Sequence, residues 1–290
     1  MKKILFLIFI FFISNSLYAI EFSGKFIQGN LIIGKTDPNS KIIIDKNEVK
    51  VSKEGYFVFG IDRDHKTDLI LTKIIEGKEE KIIKKVYKKK YEIQRIDGLP
   101  ESMVTPPESV YKRIKEENNS IGEARALNSD LIFFKDQFIM PVDGVITGLY
   151  GSQRILNGIP KLPHYGIDIA AKQSTKIKSS ASGVVTMAEA DLYYTGGTII
   201  MDHGHGISTI YSHLETVIVK VGDQVKQGDI IGTVGSTGRS TGPHLDFRIN
   251  WFQTRLDPMS VLNWYINIDF YCIVYKLYKM SEFKKLEKNN

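Results

Sequence analysis

Four short elements in the second half of the chain carry side chains able to hold a metal ion or move a proton. They are Pro163-His164-Tyr-Gly-Ile-Asp168, Tyr211-Ser-His213-Leu214, Gly242-Pro-His244-Leu-Asp246-Phe247, and the pair His203 and His205 in Asp-His-Gly-His-Gly. Imidazole and carboxylate both ligate zinc, and imidazole is also the side chain that exchanges protons near neutral pH. Residues two apart on a strand project to one face, so His244 and Asp246 point into one cleft while Leu245 turns to the core. His164 and Asp168 are too far apart on an ideal strand to share an ion. Gly166 lets the backbone bend between them, so a corner leading into a strand brings them together. The chemistry such a set supports is hydrolysis by an ion-activated water.

Other readings stand beside this one. Asp246 also has Arg248 as the next residue on its strand face, and a simple ion pair would leave the metal set incomplete. His203 and His205 invite comparison with a metal clip, but the glycines around them suggest a mobile hairpin tip. His65, in Asp-Arg-Asp-His-Lys, reads as a surface loop residue. Cys272 is the only cysteine, so no disulfide staples the fold, and it has no base near it in sequence that would make it a nucleophile. The stretch Val219 to Gly232 has the pattern of a biotinyl/lipoyl hammerhead, yet no lysine stands at a hairpin tip to carry a prosthetic group.

Taken together, the elements around His164, His213 and His244 resemble the lysostaphin/LytM-type zinc endopeptidases of bacterial cell walls, over about residues 138–260. That family's pattern is His-x-x-x-Asp, then Tyr-x-His-Leu, then Gly-Pro-His-x-His. Here the first two are present, and Asp246 stands where the last histidine is expected. The resemblance implies that His164, Asp168 and Asp246 hold Zn²⁺. It implies further that His213 and His244 stay off the metal, one orienting or deprotonating the water, the other stabilising the oxyanion and protonating the leaving amine. Peptidoglycan stem peptides are the implied substrate. A carboxylate reaches less far than an imidazole, and two carboxylates neutralise more of the ion's charge, which favours Mn²⁺ or another hard divalent ion relative to a two-histidine site. Related domains that have lost ligands activate cell-wall amidases rather than cutting, with amidases or divisome proteins as partners; that is the alternative function.

These elements must be positioned by a mainly β fold. The expected order is a signal peptide at 1–19, an Ig-like β-sandwich at 20–97, a linker with a helix at 98–135, a LytM-type antiparallel sheet of barrel-sandwich hybrid form at 136–262, and a tail at 263–290. The signal reading rests on Lys2 and Lys3, the apolar run Ile4 to Ile13, and the small polar ending at Ala19. It implies a periplasmic or cell-envelope protein, with no membrane span once the signal is cleaved. Alternating stretches such as Tyr56-Phe-Val-Phe59, broken by Asp37-Pro38-Asn39, predict the sandwich, and the lysine-rich Lys78 to Lys90 reads as a solvated strand face. Charged, helix-permissive residues from Glu108 to Leu127 predict the helix, which either covers the cleft or tethers the two halves. Frequent glycines from Gly144 to Gly242 suit tight hairpins. Tyr150, Tyr165, Tyr193 and Tyr194 are candidate walls of a groove for an extended peptide. With 39 basic and 33 acidic residues the net charge of +6 favours an anionic partner only weakly, and nothing calls for nucleic acid.

Overall fold

A computed structural model describes residues 20–98 and 101–262. The signal segment, Cys272 and the tail lie outside the described residues. Among those described, no helix is long and apolar enough to cross a membrane.

The fold is mainly β. The N-terminal part forms two small antiparallel sheets. One joins Glu21–Ser23, Leu31–Lys35 and Tyr56–Gly60, and the other joins Asn47–Val49, Lys41–Ile44, Leu69–Ile75 and Lys78–Lys84. Ile32, Ile42, Phe57, Phe59 and Leu71 fill the space between them. The alternation of the first sheet is apolar on both faces, and the structure uses both. Phe57 and Phe59 face the sandwich, whereas Leu31 and Val58 enter the core of the C-terminal part. A sheet buried on both sides reads as a continuous apolar run, as Tyr56 to Phe59 does. Lys78–Lys84 is mostly exposed, as its lysine pattern predicts.

The C-terminal part is built on one ten-stranded sheet. Its main path runs Gln224–Val225, Gly183–Leu192, Gly196–Gly204, Ile207–Val217, His244–Trp251, Ile167–Ala170 and Val145–Gly148. Strand Gly196–Gly204 is buried along its whole length because both its faces are covered. Ile199 and Met201 enter the main core, and Ile200 packs with Met187, Leu192 and Ile210 under Ile121 and Ala124 of the helix Tyr111–Arg125. Ile210 lies opposite Arg248 and Ser212 opposite Asp246, so the helix rests on the same face of the sheet as the expected ligands. It neither covers the cleft nor merely tethers: it stands beside the cleft, with Asn118 in its wall and Glu117 accepting a hydrogen bond from the Tyr193 amide at 2.9 Å.

Two contacts tie the N-terminal part to the site. Strand Ile93–Ile96 pairs in parallel with Gln153–Leu156, the strand that carries Arg154. Arg63 donates from Nε (3.0 Å) and Nη2 (2.7 Å) to the Gly151 carbonyl and lies over the Tyr91 ring.

Candidate active site

Strand pairing creates the site. Asp168 and Asp246 are directly opposed partners on neighbouring antiparallel strands, so their side chains share a face. Leu245 and Phe247, the intervening residues, are fully buried in the core. His164 lies four residues before Asp168 in the segment leading into that strand, held by reciprocal backbone bonds with the Gly151–Ser152 turn. One ligand atom from each of His164, Asp168 and Asp246 fits within 4.8 Å of the others, and all three residues are buried. Gly166 stands at the expected bend just before the strand, and it serves the arrangement through space as well. A Cβ there would meet Arg248 Cγ at 2.6 Å and Asp246 Oδ1 at 2.7 Å. Gly148 makes similar room for Asp168, whose Oδ2 would lie 2.2 Å from a Cβ.

His213 reaches the same cleft by a different device. Between Gly197↔Leu214 and Ile199↔Tyr211, the Ile207–Val217 strand carries one residue more than its partner, a β-bulge. His213 takes up the excess at φ 66°, a left-handed conformation that costs a non-glycine residue about 1 kcal/mol or more. Regular alternation would put His213 on the core face beside Tyr211. The bulge turns it to the cleft instead, where its ring centroid lies 4.7 Å from that of His244.

Hydrogen bonds set the tautomers of both histidines. His213 Nδ1 donates to the Thr237 carbonyl at 2.8 Å, and His244 Nδ1 donates to the Gly242 carbonyl at 2.8 Å with Ser240 Oγ at 3.2 Å. A carbonyl accepts only, so in the neutral ring the proton sits on Nδ1 and Nε2 keeps its lone pair. Burial pushes the His213 imidazole down to about 4, against the pull of Asp246. It is therefore a neutral base at neutral pH.

Each carboxylate has its own arginine. Arg154 Nη2 donates to Asp168 Oδ2 at 2.7 Å, and Arg248 grips Asp246 with two bonds, Nε to Oδ1 at 2.9 Å and Nη2 to Oδ2 at 2.5 Å. Burial opposes ionisation of Asp246, but Arg248 outweighs it and holds the carboxyl well below its ordinary range. Burial likewise opposes ionisation of Asp168, and His164 and Arg154 hold it below its ordinary value. Both groups are anions, as metal ligands must be.

The donor set fits a divalent ion. His164 Nε2 is buried and makes no hydrogen bond, although it lies 3.0 Å from Asp168 Oδ1. Buried polar atoms are rarely left so, and an ion is one reason they are. Asp168 Oδ1 is the oxygen not taken by Arg154, and the ionised Asp246 carboxylate keeps lone pairs beyond those that accept from Arg248.

The cleft above these groups has a volume of about 770 Å³. Tyr165 and Tyr194 line it as expected. Tyr150 does not: it is buried, and its hydroxyl donates to the Arg255 carbonyl at 2.8 Å. Tyr193 packs edge-on against Tyr194 rather than facing the cleft. His65 sits in the expected loop, half-buried. His203 and His205 correct the expectation of a mobile tip, for both are buried. Residues 129–138 fold over that turn, placing Phe138 on the His203 ring and Phe134 on the His205 ring. His203 Nδ1 donates to the Ser182 carbonyl at 2.7 Å, and its Nε2 lies 2.8 Å from Thr209 Oγ1. Sequence reasoning missed Arg154, whose approach depends on a strand fourteen residues upstream. It also missed the role of the Thr237 carbonyl, for which Ser236-Thr-Gly-Arg-Ser240, just before Gly242-Pro-His244, was the available signal.

Comparison with known proteins is consistent with this geometry. Residues 162–258 match the family model of peptidase family M23. Over 98 residues, 34% of this chain and 22% of the relative, the sequence is 42% identical to the DD-carboxypeptidase/endopeptidase Mpg of Neisseria meningitidis. Over 165 residues, 55% of this chain and 26% of the relative, it is 33% identical to the cell division protein DipM of Caulobacter vibrioides. The chain thus spans about a quarter of the length of these curated relatives. A crystal structure of an M23-type protein from Pseudomonas aeruginosa is similar at a TM-score of 0.63 and 27% identity, over 82% of this chain and 95% of that one. That likeness extends well beyond the 97 residues of the family match. Residues 162–258 are therefore an M23 peptidase domain within a longer chain.

Proposed function

We propose that the protein is a metal-dependent endopeptidase of the cell envelope that hydrolyses peptide cross-links of peptidoglycan. The observation that carries this reading is the buried His164–Asp168–Asp246 triangle at the floor of an open cleft, with two oriented histidines beside it. His164 Nε2, Asp168 and Asp246 would hold the ion, zinc or a harder divalent ion. When bound, such an ion lowers the pKa of a coordinated water to about 7 and polarises the scissile carbonyl.

The chain's own residues do the rest. His213, neutral and with Nε2 unprotonated, is placed to accept the proton of the attacking water. His244, whose Nε2 is 3.8 Å from Asp168 Oδ1, is placed to hold the developing oxyanion and return a proton to the leaving amine. Thr237 and Gly242 fix both rings through their carbonyls. The apparent signal peptide supports an envelope location, and Mpg supports the peptide substrate.

A second reading has one specific observation behind it: the arginines on both carboxylates offer counter-charge without a metal, which suits a regulator that binds without cutting, and a cell division protein is among the relatives. Metal content of the purified protein beside digestion of sacculi decides between them. Near-stoichiometric metal, lost in Asp168→Ala together with cleavage, supports the peptidase. Absence of both in the native protein, with metal gained in Asp246→His, supports the regulator.

A further inference from the structure

We propose that the cleft selects peptides bearing a free carboxylate, and that Arg255 with Asn250 forms the seat for it. The proposal rests on the peptidase reading and specifies its substrate.

Arg255 is the directly opposed partner of Asn250 on the strand Thr254–Leu256, so the two share a face. Asn250 lies on the same face of its own strand as Arg248 and Asp246, two and four residues back. The line from Asp246 to Asn250 is therefore four residues of strand, about 13 Å. Arg255 lines the same cleft as His164, Asp168 and His244. An extended peptide running along this strand with its reacting bond at the triangle passes over Arg255 three or four residues away.

The charge at Arg255 is what singles it out. Arg154 and Arg248 each rest on a carboxylate, at Asp168 and Asp246. Among the described residues no ion pair reaches Arg255, whose Nη1 donates at 2.9 Å to the neutral Asn250 Oδ1. Burial accordingly pushes its pKa down to about 10 with no neighbouring anion to restore it. A desolvated cation without a counter-charge is costly, and a ligand carboxylate removes that cost through the two-pronged bonding a guanidinium offers. Asn250 Oδ1 holds one nitrogen and leaves the rest of the fork to the ligand.

The remainder of the cleft has the same sign. Arg154, Lys161, Arg239, Arg248 and Arg255 line it, against Asp168 in the lining and Asp246 beneath. Arg239 lies beyond His244 from Arg255 in the chain, with its guanidinium 4.3 Å from the centre of the Tyr194 ring. It is exposed by area, yet desolvation and the like charges of Arg154 and Arg248 disfavour its charge, as befits a group in the mouth of a basic cleft. The field thus draws in anionic peptides, and Arg255 fixes their register.

The test uses pairs of synthetic stem-type peptides, each carboxylate in turn replaced by its amide. Binding to metal-stripped protein is followed by fluorescence anisotropy, and kcat/KM is measured with the metal-loaded protein. One carboxylate should favour wild-type binding roughly ten- to hundredfold over its amide. That ratio should fall towards one in Arg255→Gln, persist in part in Arg255→Lys, and shrink from 50 to 500 mM salt. A wild-type protein that binds every acid and amide pair equally overturns the proposal without recourse to a variant. So does an Arg255→Gln protein that melts normally and keeps the full ratio. Discrimination in binding with no turnover of any peptide leaves the carboxylate seat standing and removes the peptidase reading.

Discussion

Arg248 offers the sharpest test of the metal site, because its guanidinium occupies the ligand that departs from the family pattern. Replacing it by methionine keeps volume and removes the charge. Two effects follow, with opposite signs for the empty and loaded protein. In the empty protein, Asp246 is left as a buried anion without its partner, which costs about 3–5 kcal/mol. In a fold of this size that lowers the melting temperature by roughly 10 °C. In the loaded protein the change helps. A unit positive charge about 6 Å from a divalent ion opposes it by roughly 5 kcal/mol at an effective dielectric near 20. The side chain is 23% exposed, so solvent reduces that to about 2–3 kcal/mol. Metal affinity in Arg248→Met should therefore rise by roughly a hundredfold. Competition with a chromophoric chelator measures the affinity, and melting curves with and without chelator measure the stability. The expected result is a variant that melts lower than wild type when stripped and binds metal more tightly. Unchanged or weaker metal affinity would refute the assignment of Asp246 as a ligand, for a carboxylate freed from its arginine must bind an adjacent cation better.

Three further outcomes follow from named contacts. His213→Gln should lower kcat by about 10²–10⁴ while metal content stays near wild type, since the residue acts on the proton and not on the ion; assay on sacculi with elemental analysis checks both. Gly166→Ala should cost about 1–3 kcal/mol and weaken metal binding at least tenfold, because the added Cβ meets Asp246 Oδ1 and Arg248 Cγ; chelator competition and urea unfolding read it. Burial pushes the His203 imidazole down to about 4, so the unfolded chain takes up the proton first as pH falls below about 6.5. Stability is fully present above that pH and declines by roughly 3 kcal/mol towards pH 4. His203→Phe should flatten that slope in urea titrations from pH 7.5 to 4.5, and an unaltered slope would exclude His203 as its source.

The convergence of His164, Asp168 and Asp246 was legible because period-two alternation and strand pairing act together. His244 and Asp246 declare a common face by spacing alone, and an antiparallel neighbour bearing Asp168 needed only to fall in register, which it does opposite Asp246. His213 was legible as a residue and illegible in its orientation. Alternation places it with Tyr211 in the core, and only the extra residue in its strand turns it outward. Bulges depend on the partner strand's register, which a local pattern does not contain. The burial of His203 and His205 was hidden for a related reason. Their glycines permit a mobile tip, and what closes over them is a segment seventy residues upstream. The sandwich was visible in the apolar alternation of Tyr56 to Phe59, but that Val58 faces a second core required the second core to be known.

The arginines explain why an aspartate is tolerated at position 246. The triangle holds two anions whose ligand oxygens lie within 4.8 Å. Without counter-charge such a pair would drive one carboxyl to bind a proton. Arg154 and Arg248 supply one positive charge each, so the ion-free site folds with both carboxylates ionised. The same charges must then act against an incoming cation. Stability of the empty site and affinity of the loaded site are thus opposed through two side chains that touch the ligands from outside the family motif. A histidine at 246 would be neutral and would need no such partner. On the metal-site reading proposed above, the pairing of Asp246 with Arg248 is a single adaptation: the carboxylate would complete the ligand set, and the guanidinium would keep it ionised and folded before a metal binds.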